Sequence, residues 1–310
     1  ASPALGLAWL LAGCSSGKQI GLGIHPWIGY ETLYLARDFG WLPSSVTLIE
    51  GATALDSLGA LRAGRAAAAC LTLDEVLRAR AEGVPLQIAL VFNISAGADV
   101  LLARPEINAL SDLEGKRIGV EHGAVGDLVL FKALKAARLD QASVQRLDLQ
   151  IDQQISAWQR NEIDAVVTYE PTASRIMRLG AQPLFDSRAM PDTIFDALAV
   201  LPDRARGAKS DLRNLIDAHF KGLEHLRLYR QDAIHRIAGR QNMGVDEVTR
   251  ALAGVALPTL AANRSLLSSS NPRLTKSAAR VGRWMADAKL VDHLPDSPAL
   301  FSTEWLPRHA

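Results

Sequence analysis

The residues of this chain best suited to gripping a small molecule stand at the ends of short apolar runs. Trp27 and Tyr30 follow the run 19–24, Thr53 follows 46–50, and Thr72 and Asp74 follow 66–71. Ser95 and Asp99 follow 86–92, Glu121 follows 116–120, Tyr169 and Glu170 follow 165–168, and Asp196 opens 196–201. If the runs are strands, these side chains lie at the carboxyl edge of a sheet or at crossovers between sheets, where open α/β folds bind ligands. The set holds five carboxylates, Asp74, Asp99, Glu121, Glu170 and Asp196, and no lysine or arginine; His25 and His122 are the nearest possible cations. That bias suits an amine, amidine or aminopyrimidine, stacked on Trp27 and paired with Glu121, Glu170 or Asp99. Each group also has a plainer use. Trp27 and Tyr30 can pack under the first helix, Asp74 can serve a helix start, Glu170 can cap the helix at Pro171, and Asp99 can bond backbone at a crossover.

The elements that would position these residues alternate regularly. After the strand at 19–24, Leu33, Leu35, Ala36, Phe39 and Leu42 recur at helical spacing, so a helix starts near Glu31. A strand at 46–50, a helix at 54–63 ending at Gly64, a strand at 66–71, a helix at 73–82 ending at Gly83 and a strand at 86–92 complete a βαβαβ run. Such a run implies a mostly parallel sheet. Thr53 and Thr72 precede helices, where a hydroxyl can cap free amides. The small polar stretch 93–99 reads as a crossover into a second lobe. Strands follow at 100–103, 116–120, 144–149, 165–168, 182–185 and 196–201, with helices to about 138, at 153–160 and from Pro171. The stretch 210–288 reads as helices throughout.

The chain has 310 residues, 48% hydrophobic, and its 34 basic and 33 acidic residues nearly cancel. This length suits two lobes, and the charge gives no reason to expect nucleic acid as a partner. The run 4–12 ends in Leu11-Ala12-Gly13-Cys14 and resembles a bacterial lipobox, which implies a cleaved leader, lipid on Cys14 and a periplasmic or cell-surface location. An ordinary secretory signal with an incidental cysteine is the other reading. Cys70 sits in an apolar run and reads as buried, so no disulfide is expected. Motifs for zinc hydrolysis, a nucleophile elbow or a phosphate loop are missing, and His25-Pro26 after Gly21-Leu-Gly23 breaks the dinucleotide fingerprint.

The succession Trp27-x-Gly29-Tyr30 with Tyr34-Leu35-Ala36, Leu61-Arg62-Ala63-Gly64, Leu71-Thr72-Leu73-Asp74-Glu75, Gly97-Ala98-Asp99 leading to Leu113–Val120, and Asp164–Pro171 resembles a known family. It is that of the extracytoplasmic solute-binding proteins of nitrate, sulfonate, taurine and pyrimidine-precursor ABC transporters, matched over about 18–202. The resemblance implies a type II periplasmic-binding-protein fold: two α/β lobes joined by two crossovers, closing on a cleft, with a helical C-terminal third. Residues 1–16 would be leader remnant and tether, 17–96 with 196–310 lobe one, and 97–195 lobe two. It further implies a monomer that binds a small solute, uses no cofactor or metal, performs no chemistry, and partners a permease and its ATPase. Anion binders of this kind hold their ligand on helix-start amides, here those at Thr53 and Ala124. A sulfonate or nitrate ligand, a sensor role and a pyrimidine-precursor synthase remain as alternatives. The last resembles an enzyme needing a cysteine-rich iron motif, which two cysteines do not supply.

Overall fold

In the computed structural model, which describes residues 19–293 and 299–308, the alternating pattern becomes two open sheets flanked by helices. The leader-like run and Cys14 lie outside the described residues. Sheet one contains β1 (Ile20–Ile24), β2 (Val46–Glu50), β3 (Ala68–Thr72), β4 (Gln87–Ser95), β10 (Phe195–Val200) and β11 (Val255–Ala256), in the order β11-β4-β10-β3-β1-β2. Sheet two contains β5 (Asp99–Ala103), β6 (Arg117–Val120), β7 (Gln145–Asp148), β8 (Ala165–Tyr169) and β9 (Gln182–Asp186), in the order β7-β6-β8-β5-β9. The largely apolar strands β1, β3 and β10 are buried along their whole length, as strands covered on both faces are.

Helices α1 (Glu31–Asp38), α2 (Ala54–Arg62) and α3 (Leu73–Ala81) connect the strands of sheet one, and α4 (Val125–Ala137), α5 (Ile151–Gln159) and α6 (Thr172–Arg178) those of sheet two. The C-terminal region adds α7 (Pro202–Ala205), α8 (Lys209–Leu228), α9 (Arg230–Gln241), α10 (Val245–Ala253), α11 (Leu260–Leu266) and α12 (Pro272–Asp287). One hydrophobic core joins Leu22, Leu71 and Phe92 of sheet one to Leu101, Val120 and Leu128 around sheet two. A smaller one gathers Leu102, Trp158, Val166 and Ile176 on sheet two alone. No described helix is long and apolar enough to cross a membrane.

Parallel pairing joins β1 to β2 and β3, and β6 to β7 and β8. Into each sheet one antiparallel strand is inserted: β10 between β3 and β4, and β5 between β8 and β9. The stretch 210–288 is not wholly helical, because Val255 and Ala256 pair with Ser95 and Ile94. That pairing, with the bridge from Asn93 to Asp196, carries β4 three residues beyond its apolar run, to Ser95. The chain leaves sheet one after Ser95 and returns to it at Phe195. The two crossings are tied where the Ser95 and Ser187 hydroxyls meet at 2.7 Å and Gly97 N donates to Ser187 Oγ at 2.7 Å. Gly21 has a packing use rather than a phosphate-binding one, since a Cβ there would stand 2.2 Å from the Arg65 carbonyl oxygen.

Candidate functional site

The two antiparallel strands decide which residues meet. Because β10 runs against β3, its early residue Asp196 stands opposite Thr72, the last residue of β3. Likewise β5 begins with Asp99 opposite Tyr169, the last residue of β8. Strand ends and strand starts thus share one edge of each sheet, and the two edges face each other across a cavity. Its walls are His25, Trp27, Thr72, Glu75 and Asp196 from sheet one, and Asp99, Glu121, Ala124, Val125 and Tyr169 from sheet two. The space left for water-sized groups is about 20 Å³, so the walls stand close together.

Of the residues singled out by sequence, Trp27, Thr72, Asp99, Glu121, Ala124, Tyr169 and Asp196 come together here. Tyr30 lies behind the wall, fully buried, and donates to Asp196 Oδ1 at 2.9 Å. Thr53 caps α2: its Oγ1 accepts from Asp56 N at 3.2 Å. Asp74 is buried beside the cavity without lining it, and Ser95 belongs to the crossing. Glu170 accepts from the Ser174 amide at 3.0 Å and hydroxyl at 2.9 Å, which ties it to the first turns of α6. Pro171 stands at the N-cap of α6, just before its first helical residue.

Two lining residues were not singled out from the sequence, Glu75 and Val125. The Thr72-x-x-Glu75 spacing is a capping-box signature that marks Glu75 as reaching back to the strand end. It does so, accepting from Thr72 N at 2.8 Å, while the Thr72 hydroxyl stays unbonded. His25, read from sequence as a possible cation, is buried, and loss of solvation drops it to about 4 against the pull of Asp56. It is neutral near pH 7 and lies 3.4 Å from Ser57 Oγ.

Burial dominates the acid chemistry. Desolvation, reinforced by Asp74, lifts Glu75 to about 8. Desolvation outweighs the Ser95 hydroxyl to lift Asp99 to about 7. Glu121 rises to about 7 by desolvation, against the hydrogen bond from Tyr169 Oη. Asp196 is also raised, by desolvation and then by Asp99. The Asn93 amide is placed with its nitrogen donating to Asp196 Oδ2 at 2.8 Å and its oxygen accepting from Trp27 Nε1 at 3.2 Å, because the reverse leaves oxygen facing oxygen. Gly29 lets Asn93 in, since a Cβ there would fall 1.9 Å from a terminal atom of its amide. Trp27 and Tyr169 meet edge to face across the cavity, centroids 5.6 Å apart.

Helix starts near the cavity are largely occupied by the chain's own acids. Asp56 accepts from Ala52 N and Thr53 N at 2.8 and 3.0 Å, and Asp127 accepts from Gly123 N at 2.9 Å. Asp127 also pairs with Arg146 at 2.7 Å and, across the cleft, with Arg78 of α3 at 3.5 Å. Among the described residues no group of three or more His, Cys, Asp or Glu side chains is placed to hold a metal ion.

The sequence profile of the family described as NMT1/THI5 like matches residues 30–226. The taurine-binding periplasmic protein of Escherichia coli K12 is 28% identical over 102 residues, 33% of this chain and 32% of that protein. The match thus spans about a third of that relative's length. Among solved structures, the alkanesulfonate-binding protein SsuA of Xanthomonas axonopodis pv. citri, bound to MOPS, superposes with a TM-score of 0.78 at 18% identity, over 91% of this chain and 97% of that one. The desulfurization enzyme DSZB superposes with a TM-score of 0.60 at 14% identity, over 93% and 96%. At these identities the likeness is one of fold.

Proposed function

We propose, from the premise that the chain belongs to the NMT1/THI5-like family, that it is the solute-binding component of an ABC importer and takes a small amine-bearing solute. The observation that carries this reading is the cavity lining: four carboxylates, a neutral histidine and no lysine or arginine. An ammonium, amidinium or aminopyrimidinium group satisfies such a wall with charge-assisted hydrogen bonds, and the Trp27 and Tyr169 rings add cation–π attraction. The lobes, 17–96 with 196–310 and 97–195, would close as a monomer around this solute and present the closed form to a permease and its ATPase. Only contacts made better in the closed form shift that equilibrium, and a ligand pairing with both walls makes them.

A second reading is favoured by the taurine-binding relative and by one geometric fact. Ala124 and Val125, at the start of the 13-residue α4, line the same cavity. A zwitterionic amino sulfonate would then direct its ammonium to the carboxylates and its sulfonate to the α4 amides. A ligand that is only an anion fits less well, because Asp56 already occupies the amides at Thr53. An enzymatic role, which the DSZB likeness raises, finds little support in the lining. Its one histidine is paired with Ser57, and that serine is not among the lining residues.

Thermal melting against agmatine, guanidine, aminopyrimidines, taurine, methanesulfonate and nitrate tests the reading. An amine at a hundred times its dissociation constant adds about 2.7 kcal/mol, a rise of about 4 °C at this size. A rise with methanesulfonate or nitrate alone would overturn it. Export and anchoring rest on the Leu11–Cys14 pattern. Radiolabelled fatty acid is expected on the wild-type chain in cells and not on Cys14→Ser, and label on neither would remove the anchor.

A further inference from the structure

The four carboxylates of the cavity are not equivalent, and their hydrogen bonds separate them into two pairs. On sheet one, both oxygens of Asp196 are engaged, Oδ1 by the Tyr30 hydroxyl and Oδ2 by the Asn93 amide. Glu75 Oε2 accepts from Thr72 N as the helix cap of α3. On sheet two Glu121, like Glu75, has one oxygen bonded, Oε2 accepting from Tyr169 Oη at 3.4 Å; what sets this sheet apart is the oxygens left over. Asp99 and Glu121 are each 97% buried, and Asp99 Oδ2 and Glu121 Oε1 are held out of solvent with no hydrogen-bond partner at all. Thr72 Oγ1 is the other lining side-chain atom in that condition.

A buried carboxylate oxygen without a donor costs free energy, and the cost is removed when a ligand supplies the missing N–H. An oxygen already bonded inside the protein offers a ligand much less. We propose that Asp99 and Glu121 are the residues that grip the cationic group of the solute, with the Thr72 hydroxyl as a third contact, and that Glu75 and Asp196 are scaffold. This assignment rests on the amine reading of the site and narrows it to a cation with at least two N–H donors, because the two free oxygens come from different elements, the start of β5 and the end of β6. It also makes charge recognition the work of one wall: sheet two carries both gripping carboxylates, and sheet one brings the Trp27 ring and the Thr72 hydroxyl. Asn93 gains a role as well, since it keeps Asp196 occupied while orienting the Trp27 indole.

The test is calorimetric titration of the full chain with agmatine, guanidine and taurine at pH 8. Wild type is compared with Asp99→Asn, Glu121→Gln, Glu75→Gln and Asp196→Asn, and each variant's fold is checked by circular dichroism. These substitutions keep the shape and remove the charge. The expected result is a loss of tenfold or more in affinity for Asp99→Asn and for Glu121→Gln, and less than threefold for Glu75→Gln. If Asp196→Asn perturbs the fold, Tyr30→Phe replaces it, removing one of the donors that occupy Asp196, and is expected to cost less than threefold. Equal losses in all variants, or larger losses on the sheet-one side, overturn the assignment while leaving the amine reading standing. Failure of wild type to bind any of the three amines overturns both together.

Discussion

At the scale of the residue, the cavity acids are held near neutrality by the same burial that makes them useful. Glu75 at about 8 and Asp99 and Glu121 at about 7 keep protons in the folded chain that they lose near pH 4 when unfolded. The folded state therefore binds more protons, and its stability falls as pH rises through these values. The buried histidines His25 and His219, lowered to about 4 and about 3, act in the opposite direction, but only below about 6.5. Melting temperature without ligand is accordingly expected to drop between pH 6.5 and 8.5, and Glu75→Gln to flatten that drop; an unchanged or rising melting temperature across this interval would contradict it. Most of the cavity's residue types were legible, because strand ends announce themselves in sequence. What was not legible is rotation. Asp74 and Glu75 are adjacent on a helix, and one residue turns a side chain by about 100°. Composition gave no reason to choose between them, although the capping-box spacing did.

At the scale of the element, the chain's own acids occupy amides at the helix starts near the cavity. Asp56, Glu75 and Asp127 each sit in the first turns of a helix and accept from amides at its start. An acid there suits the helix dipole and satisfies amides that would otherwise hold an anion. Asp56→Ala should cost about 1 kcal/mol, read as a small fall in denaturant midpoint at unchanged slope. No change would mean that the Thr53 hydroxyl alone suffices. Strands and helices were legible from periodicity to within a few residues. Strand direction was not, because an apolar run such as Phe195–Val200 looks the same in either sense. Its place between β3 and β4 is set by pairing with distant chain. The short strand Val255–Ala256 was hidden for the same reason: two residues carry no period, and only Ser95 and Ile94 opposite make them a strand.

At the scale of the whole molecule, polar ties join the parts of the chain built on the two sheets. Arg78 reaches Asp127 on one side, Arg175 donates to the Gln241 carbonyl at 2.8 Å and Arg178 pairs with Glu247 at 3.1 Å on another, and the serine pair ties the crossings. These contacts, with Trp27 against Tyr169, hold the two walls close around a space too small for a solute, so a ligand must enter with the walls apart. On the amine reading proposed above, closing would desolvate a cation between carboxylates, which strengthens their attraction as water leaves. The clearest sign of that sequence of events is in proton exchange. A cation that pairs with Asp99 and Glu121 must displace the protons they hold near neutral pH. The measurement is the affinity of the wild-type chain for agmatine and taurine by calorimetry at pH 6 and pH 8. Binding is expected to be tighter at pH 8, by up to about tenfold per pH unit for each proton displaced. Binding that weakens as pH rises would mean that protonated carboxyls donate to an anion, and the acidic cavity would have to be read as a sulfonate site.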